Sequence, residues 1–397
     1  MRLSGRARGI SPSPTLVVDA RAKELAAAGE QIINFGVGEP DFDTPEHIKA
    51  AAAEAMARGM TKYTAVPGTV ELRKAVCEKL RRENNLEYSP EEVVVTCGAK
   101  HSLYNALQVL VEEGDEVIVP APYWVSYVEQ VKLAGGKPVV VETKAGNDFK
   151  LRPEELSAAL NSRTRLVILN TPSNPTGSVY TREELAALAA VAVEAGIWVL
   201  SDEVYEKLVY DGNIHVSIAA LGAEIKAQTV VVNGVSKAYA MTGWRIGYAA
   251  APAPVAKAMA DLQSHSTSNP TSIAQAAALA ALRGPQEPVA EMVAAFATRR
   301  AYILERLAGI PGISCRKPAG AFYVFPDFSG YFGRRYGNRT VRNATDLAAF
   351  LLDEAKVAVV PGAAFGDDRF IRFSYATSLE KIAAGMDRMV AALSLLR

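Results

Sequence analysis

Between about residues 90 and 250, short apolar runs alternate with helix-length segments. Strands are predicted at 92–96, 116–120, 137–142, 166–170, 197–205, 229–233 and 246–251, and helices at 101–111, 124–133 and 183–195. Several of the strands are almost continuously apolar, which is typical of a sheet covered on both faces. Strands that alternate with helices favour a parallel arrangement. The sequence therefore predicts an α/β fold with a mostly parallel central sheet flanked by helices.

From about residue 286 the pattern changes. A long helix is predicted at 289–307, followed by GAFYVFPDF, a helix near 345–355 and the strands VAVVPG and FIRFSYA. This order indicates a smaller α+β lobe with an antiparallel sheet, which the N-terminal segment, rich in Gly and Pro, is expected to join. We predict a large domain of residues 46–288 and a small domain formed by 1–45 and 289–397. The segment 331–340 is predicted to be a surface loop.

Composition excludes several classes of protein. In the 397-residue chain, 43 basic side chains balance 43 acidic ones, so no net charge attracts nucleic acid or an anionic membrane. The N-terminus lacks the apolar segment of a signal peptide, and no apolar run reaches membrane-spanning length. The cysteines Cys77, Cys97 and Cys315 lie far apart, and the four histidines form no ligand pattern. We expect a cytoplasmic protein without a metal site.

Lys237 follows the β-branched run 230–232 in the segment TVVVNGVSKAYAMTGWRIGY. A lysine just beyond a buried strand is held partly out of water, and burial lowers the pKa of its ammonium group. The resulting neutral amine can condense with an aldehyde. Arg245 follows eight residues later and, with Ser236, is placed to bind phosphate through its planar, permanently charged guanidinium group. The alternative for Arg245 is an ordinary surface arginine.

Other suggestive residues also follow strands, where ligands gather in α/β sheets. Gly98, Ala99 and Lys100 open a helix, so backbone N–H groups and the helix dipole could hold an anion there. The alternative is a plain turn between strand and helix. Trp124 could stack on a flat heteroaromatic ring, although a tryptophan in this setting is more often part of the core.

Two strand-end loops carry polar side chains that need partners. Asn174 lies in NTPSNPTGSVY, where its amide could donate to a phenolate-type oxygen and the Asn174–Pro175 peptide is a candidate for the cis form. Asp202 ends a buried strand, and its carboxylate could pair with a protonated pyridine nitrogen or with a neighbouring arginine or lysine. Tyr205, three residues on, could reach an oxygen of the same ring.

Three further candidates lie outside the alternating region. Arg372 stands inside the apolar strand FIRFSYA and could bind a carboxylate with both arms of its guanidinium group, or form a structural ion pair. Gly38, in GVGEPDF, would let the backbone approach the same carboxylate. Taken alone, Tyr63 in KYTAVPGTVELR is predicted to anchor a surface turn.

The chain resembles the class I aminotransferases of fold type I, which depend on pyridoxal 5′-phosphate. The segments that carry this resemblance are, in order, GVGEPDF, KYTAVPG, GAK, PYW, SNPTG, SDEVY, SKAYAMTGWRIG and FIRFSYA. The resemblance is strongest to the bacterial aspartate aminotransferases with a lysine in the glycine turn. It implies catalytic roles for Lys237, Asp202 and Tyr205. It implies cofactor contacts from Gly98, Ala99, Lys100, Trp124, Asn174, Asp202, Tyr205, Ser236, Lys237 and Arg245, and substrate contacts from Gly38, Lys100, Trp124, Asn174 and Arg372. It also implies a homodimer with shared active sites, in which Tyr63 reaches the neighbouring subunit's phosphate.

The resemblance implies ping-pong transamination between L-aspartate and 2-oxoglutarate, with aromatic, alanine or prephenate specificity as the alternative. A related branch binds the distal carboxylate of the substrate with an arginine of the partner subunit. The corresponding residues 264–270 contain no arginine here, so Lys100 is the expected cation for the distal carboxylate. Some relatives that also use prephenate carry a basic residue near the N-terminus, about where Ser11 stands here, so Ser11 argues against prephenate as a substrate. A β-elimination lyase, which uses the same cofactor, is a further alternative function. A cofactor-binding regulator and a Rossmann dehydrogenase fit less well, because the length leaves no room for a DNA-binding domain and no GxGxxG follows a first strand.

Overall fold

The structure of the chain is a computed structural model that describes residues 2–397. Within that range it contains fourteen strands and fourteen α-helices. The strands are β1 (Ile33–Asn34), β2 (Val93–Thr96), β3 (Glu116–Ala121), β4 (Lys137–Glu142), β5 (Thr164–Asn170), β6 (Trp198–Asp202), β7 (Thr229–Gly234), β8 (Gly247–Ala250), β9 (Tyr323–Val324), β10 (Arg335–Tyr336), β11 (Arg339–Thr340), β12 (Val357–Ala358), β13 (Val360–Pro361) and β14 (Ile371–Ser374). The helices are α1 (Gly5–Gly9), α2 (Pro14–Ala27), α3 (Glu46–Ala57), α4 (Val70–Asn84), α5 (Ala99–Leu110), α6 (Ser126–Leu133), α7 (Pro153–Ala159), α8 (Arg182–Ala195), α9 (Ala223–Ala227), α10 (Ala253–Ser266), α11 (Ser272–Arg283), α12 (Glu287–Ala308), α13 (Ala344–Phe350) and α14 (Leu379–Leu393).

A seven-stranded sheet in the order β2-β8-β7-β6-β5-β3-β4 forms the centre. The strands β4, β3, β5, β6 and β7 are parallel to their neighbours in that series, and β8 is antiparallel to both β7 and β2. The prediction of a mostly parallel α/β sheet flanked by helices is confirmed.

The apolar character of the strands follows from burial on both faces of the sheet. In β7, Val231 packs in a cluster with residues of α3, α4 and α11. Its neighbours Val230 and Val232 pack on the opposite face in a cluster with residues of α5 and α10. Because successive side chains of a strand point to opposite faces, both sets must be apolar.

The antiparallel direction of β8 brings a further loop to the edge where the parallel strands end. Gly247, the first residue of β8, pairs with Gly234 at the end of β7 and with Thr96 at the end of β2. A Cβ atom on Gly247 would lie 2.1 Å from the backbone nitrogen of Ala99. The absence of a side chain therefore allows the start of α5 to approach the sheet at this edge.

The second lobe is built from short strands. An antiparallel sheet of order β13-β14-β9 packs with residues of α12 and α14, and β1 pairs in parallel with β12. The N-terminal segment thus adjoins the C-terminal part of the chain. The exact division at residues 45/46 and 288/289 stays a prediction, and Met1 lies outside the described residues. Among residues 2–397, no helix is both long and apolar enough to cross a membrane.

Two local predictions differ from the structure. The predicted loop 331–340 contains the short antiparallel hairpin β10–β11. The strand predicted at 197–205 ends at Asp202, because the backbone N–H of Val204 donates to Oδ1 of Asp202, 3.3 Å away, and turns the chain. A side chain that bonds the backbone two residues on is a common cause of such turns. Tyr205 therefore follows the sheet edge rather than extending the strand.

Candidate active site

A cavity of about 430 Å³ opens at the sheet edge where the parallel strands end, between the sheet and the second lobe. Eleven of the thirteen residues that the sequence predicted for the site line this cavity. They are Gly38, Ala99, Lys100, Trp124, Asn174, Asp202, Tyr205, Ser236, Lys237, Arg245 and Arg372. Gly98 and Tyr63 are not among the lining residues.

Lys237 lies in the loop after β7, with its amine among aromatic rings. Its Nζ donates to the backbone carbonyl of Gly38 and lies 5.9 Å from the ring centroid of Tyr205 and 5.8 Å from that of Phe322. Burial lowers the pKa of Lys237 to about 8, while the charge of Glu39 acts in the opposite direction. Near physiological pH a minority of the amine is therefore neutral, a much larger fraction than for an exposed lysine.

Asp202, at the end of β6, is a buried carboxylate that faces the cavity. The hydroxyl of Tyr127 donates to its Oδ2 at 2.7 Å, and the N–H of Val204 donates to Oδ1 at 3.3 Å. Burial raises the pKa of Asp202 to about 6, and the hydrogen bond from Tyr127 opposes that rise. A carboxylate offers about four acceptor positions, so Asp202 has capacity for another donor in the cavity.

Positive groups and helix N–H groups converge on one side of the cavity. Arg245 adopts a left-handed backbone conformation (φ +58°), and its Nη1 donates to the carbonyl of Thr242 at 2.9 Å. A Cβ atom on Gly98 would lie 2.4 Å from Nη2 of Arg245, so the glycine allows the arginine to rest against the start of α5. Burial and the charge of Arg245 lower the pKa of Lys100. This donor set suits a phosphate group.

Arg372 is a buried guanidinium group that the second lobe contributes to the cavity. Its Nη1 donates to Oδ1 of Asn174 at 2.9 Å and its Nη2 to the carbonyl of Gly36 at 2.6 Å, while its Nε is buried without a partner. The guanidinium carbon lies 4.5 Å from the ring centroid of Tyr323. Both hydrogen-bond partners are uncharged, which leaves the positive charge of Arg372 available to a carboxylate ligand.

Asn174 lies on the strand-end loop predicted for it, whereas Trp124 precedes α6 (Ser126–Leu133) instead of lying in the predicted helix 124–133. The Asn174–Pro175 peptide is cis, in agreement with the prediction. The indole of Trp124 lines the cavity, and Nζ of Lys100 lies 4.8 Å from the centroid of this ring. The backbone N–H of Asn174 donates to the side-chain oxygen Oδ1 of Asn170 at 2.8 Å, which fixes the loop beside Asp202.

Sequence reasoning missed two tyrosines of the cavity wall, Tyr127 and Tyr323. The hydroxyl of Tyr323 lies 2.8 Å from that of Tyr205. Tyr127 stands three residues after Trp124 in PYWVSY, a spacing that places both side chains near one another at the start of α6. Tyr323 is the one hydroxyl-bearing residue of the apolar run AFYVF. These two signals were present in the sequence but did not identify the partners of the hydroxyl groups.

Tyr63 lies on the surface and is 91% exposed. It contributes nothing to the cavity of its own chain. Its predicted role at a second subunit stays a prediction.

A cluster of potential metal ligands, also missed in the sequence, lies outside the cavity. Ligand atoms of Glu203, Glu206 and His215 are within 4.8 Å of one another. Glu203 already accepts hydrogen bonds from Ser201 and Ser217 and contacts His215 at 3.0 Å. The carboxylate of Glu206 is occupied by Lys79 and Asn84. Both carboxylates of the cluster are therefore already engaged by other groups, although Nδ1 of His215 is buried without a partner.

The cavity thus places a buried amine of lowered pKa beside cationic side chains and the start of a helix. The family model for aminotransferase class I and II matches residues 30–389. The chain is 54% identical over 389 residues to an aspartate aminotransferase of Geobacillus stearothermophilus and 50% identical over 391 residues to an aspartate/prephenate aminotransferase of Cereibacter sphaeroides, with 98% of each chain covered in both cases. The crystal structure of an aspartate aminotransferase from Rhizobium meliloti matches with a TM-score of 0.97 at 46% identity, over 100% of both chains. This chain belongs to the class I and II aminotransferase family.

Enzymes of this family transfer amino groups between amino acids and 2-oxo acids with pyridoxal phosphate as cofactor. The residues present fit that cofactor. Arg245 and the start of α5 form a cationic, N–H-rich pocket for a phosphate, and the buried carboxylate of Asp202 has free acceptor capacity for a ring N–H. Lys237 offers an amine of lowered pKa in the same cavity.

Proposed function

We propose that this chain transfers the amino group of L-aspartate to 2-oxoglutarate, giving oxaloacetate and L-glutamate. The observation that carries the proposal is a single cavity lined by an amine of lowered pKa and, besides Arg245, by two cationic side chains, Arg372 and Lys100. Two separate cations suit a substrate with two carboxylates. The similarity to enzymes named aspartate aminotransferase supports the same substrate.

Lys237 would hold the cofactor through its amine and, once released, would move the substrate's proton. When bound, pyridoxal phosphate supplies the aldehyde and the electron-accepting ring that transamination requires. Once its amine is free, Lys237 would take the proton from the substrate α-carbon and deliver it to the C4′ carbon of the cofactor. In the second half-reaction it would move a proton in the opposite direction, from C4′ to the α-carbon of the new amino acid. A pKa of about 8 suits both the neutral and the charged state of Lys237 near neutral pH.

Asp202 and Tyr205 act on the cofactor ring. Asp202 would accept a hydrogen bond from the ring nitrogen and favour the protonated form of that nitrogen. Tyr205 and Asn174 would donate hydrogen bonds to the ring oxygen. Trp124 would stack on the ring and help to exclude water from it.

Arg245, Ser236 and the backbone N–H groups at Gly98 and Ala99 hold the phosphate. Tyr63 of the partner subunit adds its hydroxyl, in a homodimer whose active sites are shared. We propose a cytoplasmic location for this dimer. The two lobes of each subunit are residues 46–288 and residues 1–45 with 289–397, so that the cavity lies between them.

Arg372 holds the substrate's α-carboxylate, with Asn174 and the backbone at Gly38 beside it. Its unpaired Nε and its neutral partners support this role, because a buried guanidinium group gains most from a charged acceptor. Lys100 binds the distal carboxylate. Its lowered pKa comes first from burial, which also strengthens the attraction of a charged ligand.

A broader specificity is the second candidate, supported by the aspartate/prephenate aminotransferase among the relatives. Ser11 argues against prephenate, since it offers no positive charge. Its backbone N–H donates to Oε2 of Glu129 at 3.2 Å, and it does not line the cavity. Aromatic or alanine donors remain alternatives that a substrate panel separates.

The test is a set of half-reaction titrations of the cofactor-loaded protein, followed by absorbance. The donors are aspartate, alanine, phenylalanine and glutamate, and the acceptors 2-oxoglutarate, oxaloacetate, pyruvate and prephenate. We expect kcat/KM to be highest for the four- and five-carbon dicarboxylates. Equal rates with pyruvate and 2-oxoglutarate would overturn the assignment of the substrate, although the chain would remain an aminotransferase.

A further inference from the structure

Tyr127 makes the shortest side-chain hydrogen bond to Asp202 in residues 2–397. Its hydroxyl lies 2.7 Å from Oδ2 of the carboxylate, and both side chains are buried. Tyr127 lies in the first turn of α6, and its ring meets Trp124 edge-on, with the centroids 5.4 Å apart and the planes at 82°. One short segment therefore supplies both the indole of the cavity wall and the donor to Asp202.

A neutral donor has a specific advantage at this position. A hydrogen bond to the charged form of a carboxylate stabilises that form and lowers its pKa. An arginine or lysine in the same place would also neutralise the carboxylate and compete with any cationic ligand in the cavity. Tyr127 stays protonated, because burial raises its pKa well above the usual value. It thus stabilises the negative charge of Asp202 without cancelling it.

The other charged and titratable groups that face Asp202 act in opposite directions. Lys237, in the loop after β7, favours the ionised carboxylate, whereas the neighbouring Glu203 disfavours it. Glu203 is itself fixed by His215 at 3.0 Å. Tyr205 is the remaining titratable side chain nearby, and burial holds its pKa well above the usual value. Tyr127 is therefore the strongest side-chain contribution that opposes the effect of burial on Asp202.

We propose that Tyr127 is a positioning residue that keeps the carboxylate of Asp202 ionised and directed at the cofactor's ring nitrogen. The inference rests on the proposed function of Asp202. It predicts that, when the hydroxyl alone is removed, Asp202 becomes protonated at a higher pH than in the wild type. As the pH is lowered, the interaction between Asp202 and the cofactor is then lost earlier.

The experiment compares full-length wild type, Tyr127→Phe and Tyr123→Phe. Tyr123 lies in the same segment, is half-buried and does not line this cavity, so its variant is a matched control for the loss of a tyrosine hydroxyl. The apo forms are titrated with pyridoxal phosphate between pH 5 and 8.5, and the dissociation constant is plotted against pH. We expect the pH at which affinity falls to rise by about one pH unit in Tyr127→Phe and to stay unchanged in Tyr123→Phe.

A spectroscopic readout tests the same point without reference to turnover. With ¹⁵N-labelled cofactor, the chemical shift of the ring nitrogen reports its protonation. At pH 7.5 we expect a protonated nitrogen in the wild type and partial loss of that proton in Tyr127→Phe. If the affinity of Tyr127→Phe for the cofactor fell equally at every pH and the ¹⁵N shift did not change, Tyr127 would have only a packing role. The inference would then be wrong.

A third variant covers the case in which Tyr127→Phe does not fold. Site-specific incorporation of 3-fluorotyrosine at position 127 keeps the shape of the ring and makes the hydroxyl a stronger donor. The pH at which affinity falls should then move below that of the wild type, and no movement would overturn the inference. If the wild-type protein itself failed to bind pyridoxal phosphate, the proposed function would fail instead.

Discussion

Arg372 and Asn174 are 198 positions apart in the chain, yet Nη1 of the arginine donates to Oδ1 of the asparagine at 2.9 Å. The bond joins β14 of the second lobe to the loop after β5 of the central sheet. It keeps the guanidinium group pointed into the cavity, and the carbonyl of Gly36 holds its other arm. A carboxylate bound to Arg372 would therefore lie beside residues of both the central sheet and the second lobe.

Arg372→Lys should weaken substrate binding without loss of the cofactor. Lysine keeps the charge but cannot hold Asn174, Gly36 and a carboxylate at once. We expect kcat/KM for aspartate to fall on the order of 100-fold, or about 2.7 kcal/mol. Steady-state kinetics at saturating pyridoxal phosphate would measure it. Arg369→Lys is the matched control, because Arg369 is exposed and pairs with Asp367 near the same strand; a similar loss in both variants would contradict the role of Arg372.

Asp202→Asn should stabilise the apo protein while it impairs cofactor binding. The pKa of Asp202 rises from 3.8 to about 6 on folding, so the folded chain binds more protons than the unfolded chain between these values. The resulting destabilisation is complete above pH 6 and shrinks as the pH falls through 6. At pH 7.5 we expect the free energy of unfolding of the apo variant to exceed that of the wild type by about 3 kcal/mol.

Urea unfolding of both apo proteins at pH 7.5 and pH 5 measures this difference, which should be smaller at pH 5. With cofactor, the Asp202→Asn variant should lose roughly 10²–10³-fold in kcat, the loss expected for one preorganised electrostatic group, because the amide presents no negative charge to the ring. An apo variant less stable than the wild type at both pH values would contradict the assigned ionisation.

Comparing the stability of the wild type with that of Lys237→Met should reveal the lowered pKa of the lysine. Because the pKa of Lys237 is about 8 in the folded chain and 10.5 in its ordinary state, the unfolded chain binds more protons between these values. The free energy of unfolding of the apo wild type, relative to Lys237→Met, should therefore rise as the pH rises from about 8 to 10.5. Urea titrations across this range test the sign, and a difference that does not vary with pH would show that the amine is solvated.

Much of the fold could be predicted because the strands are buried on both faces and carry continuous β-branched runs. The run 229–233, for example, coincides with β7 (Thr229–Gly234) to within one residue. The antiparallel direction of β8 could not be read in the same way, since direction depends on pairing and not on burial. It matters for the site, because it is what returns Arg245 to the edge shared by Asp202 and Lys237.

The side chains of the cavity were predicted where a strand end or a glycine turn marks the position. Asp202 and Lys237 follow apolar runs, and Gly98 opens a helix, so each had a local signal. Tyr127 and Tyr323 had none of comparable strength, because a buried tyrosine is ordinary in a core. Their importance depends on the partner of each hydroxyl, Asp202 or Tyr205, which only the tertiary structure brings within 2.8 Å.

Lys100→Met should lower activity toward dicarboxylates selectively. The methionine keeps the length of the side chain and its contact with Trp124 but loses the charge for the distal carboxylate. We expect kcat/KM for aspartate to fall on the order of 100-fold and that for alanine to change little, with both measured at saturating pyridoxal phosphate. Equal losses for aspartate and alanine would instead assign Lys100 to the cofactor's phosphate alone.

Tyr63 offers a test of shared active sites through mixed dimers. A dimer of one Tyr63→Ala protomer and one Lys237→Ala protomer has a single site with an intact Lys237, and that site receives its Tyr63 from the other chain if the sites are shared. We expect this site to bind pyridoxal phosphate as tightly as the wild type, whereas the Tyr63→Ala homodimer binds it more weakly. Differently tagged protomers allow the mixed dimer to be isolated, and its affinity can be measured by cofactor titration. Since Tyr63 is 91% exposed in its own chain, an affinity equal to that of the Tyr63→Ala homodimer would show that the tyrosine acts, if at all, only within its own subunit.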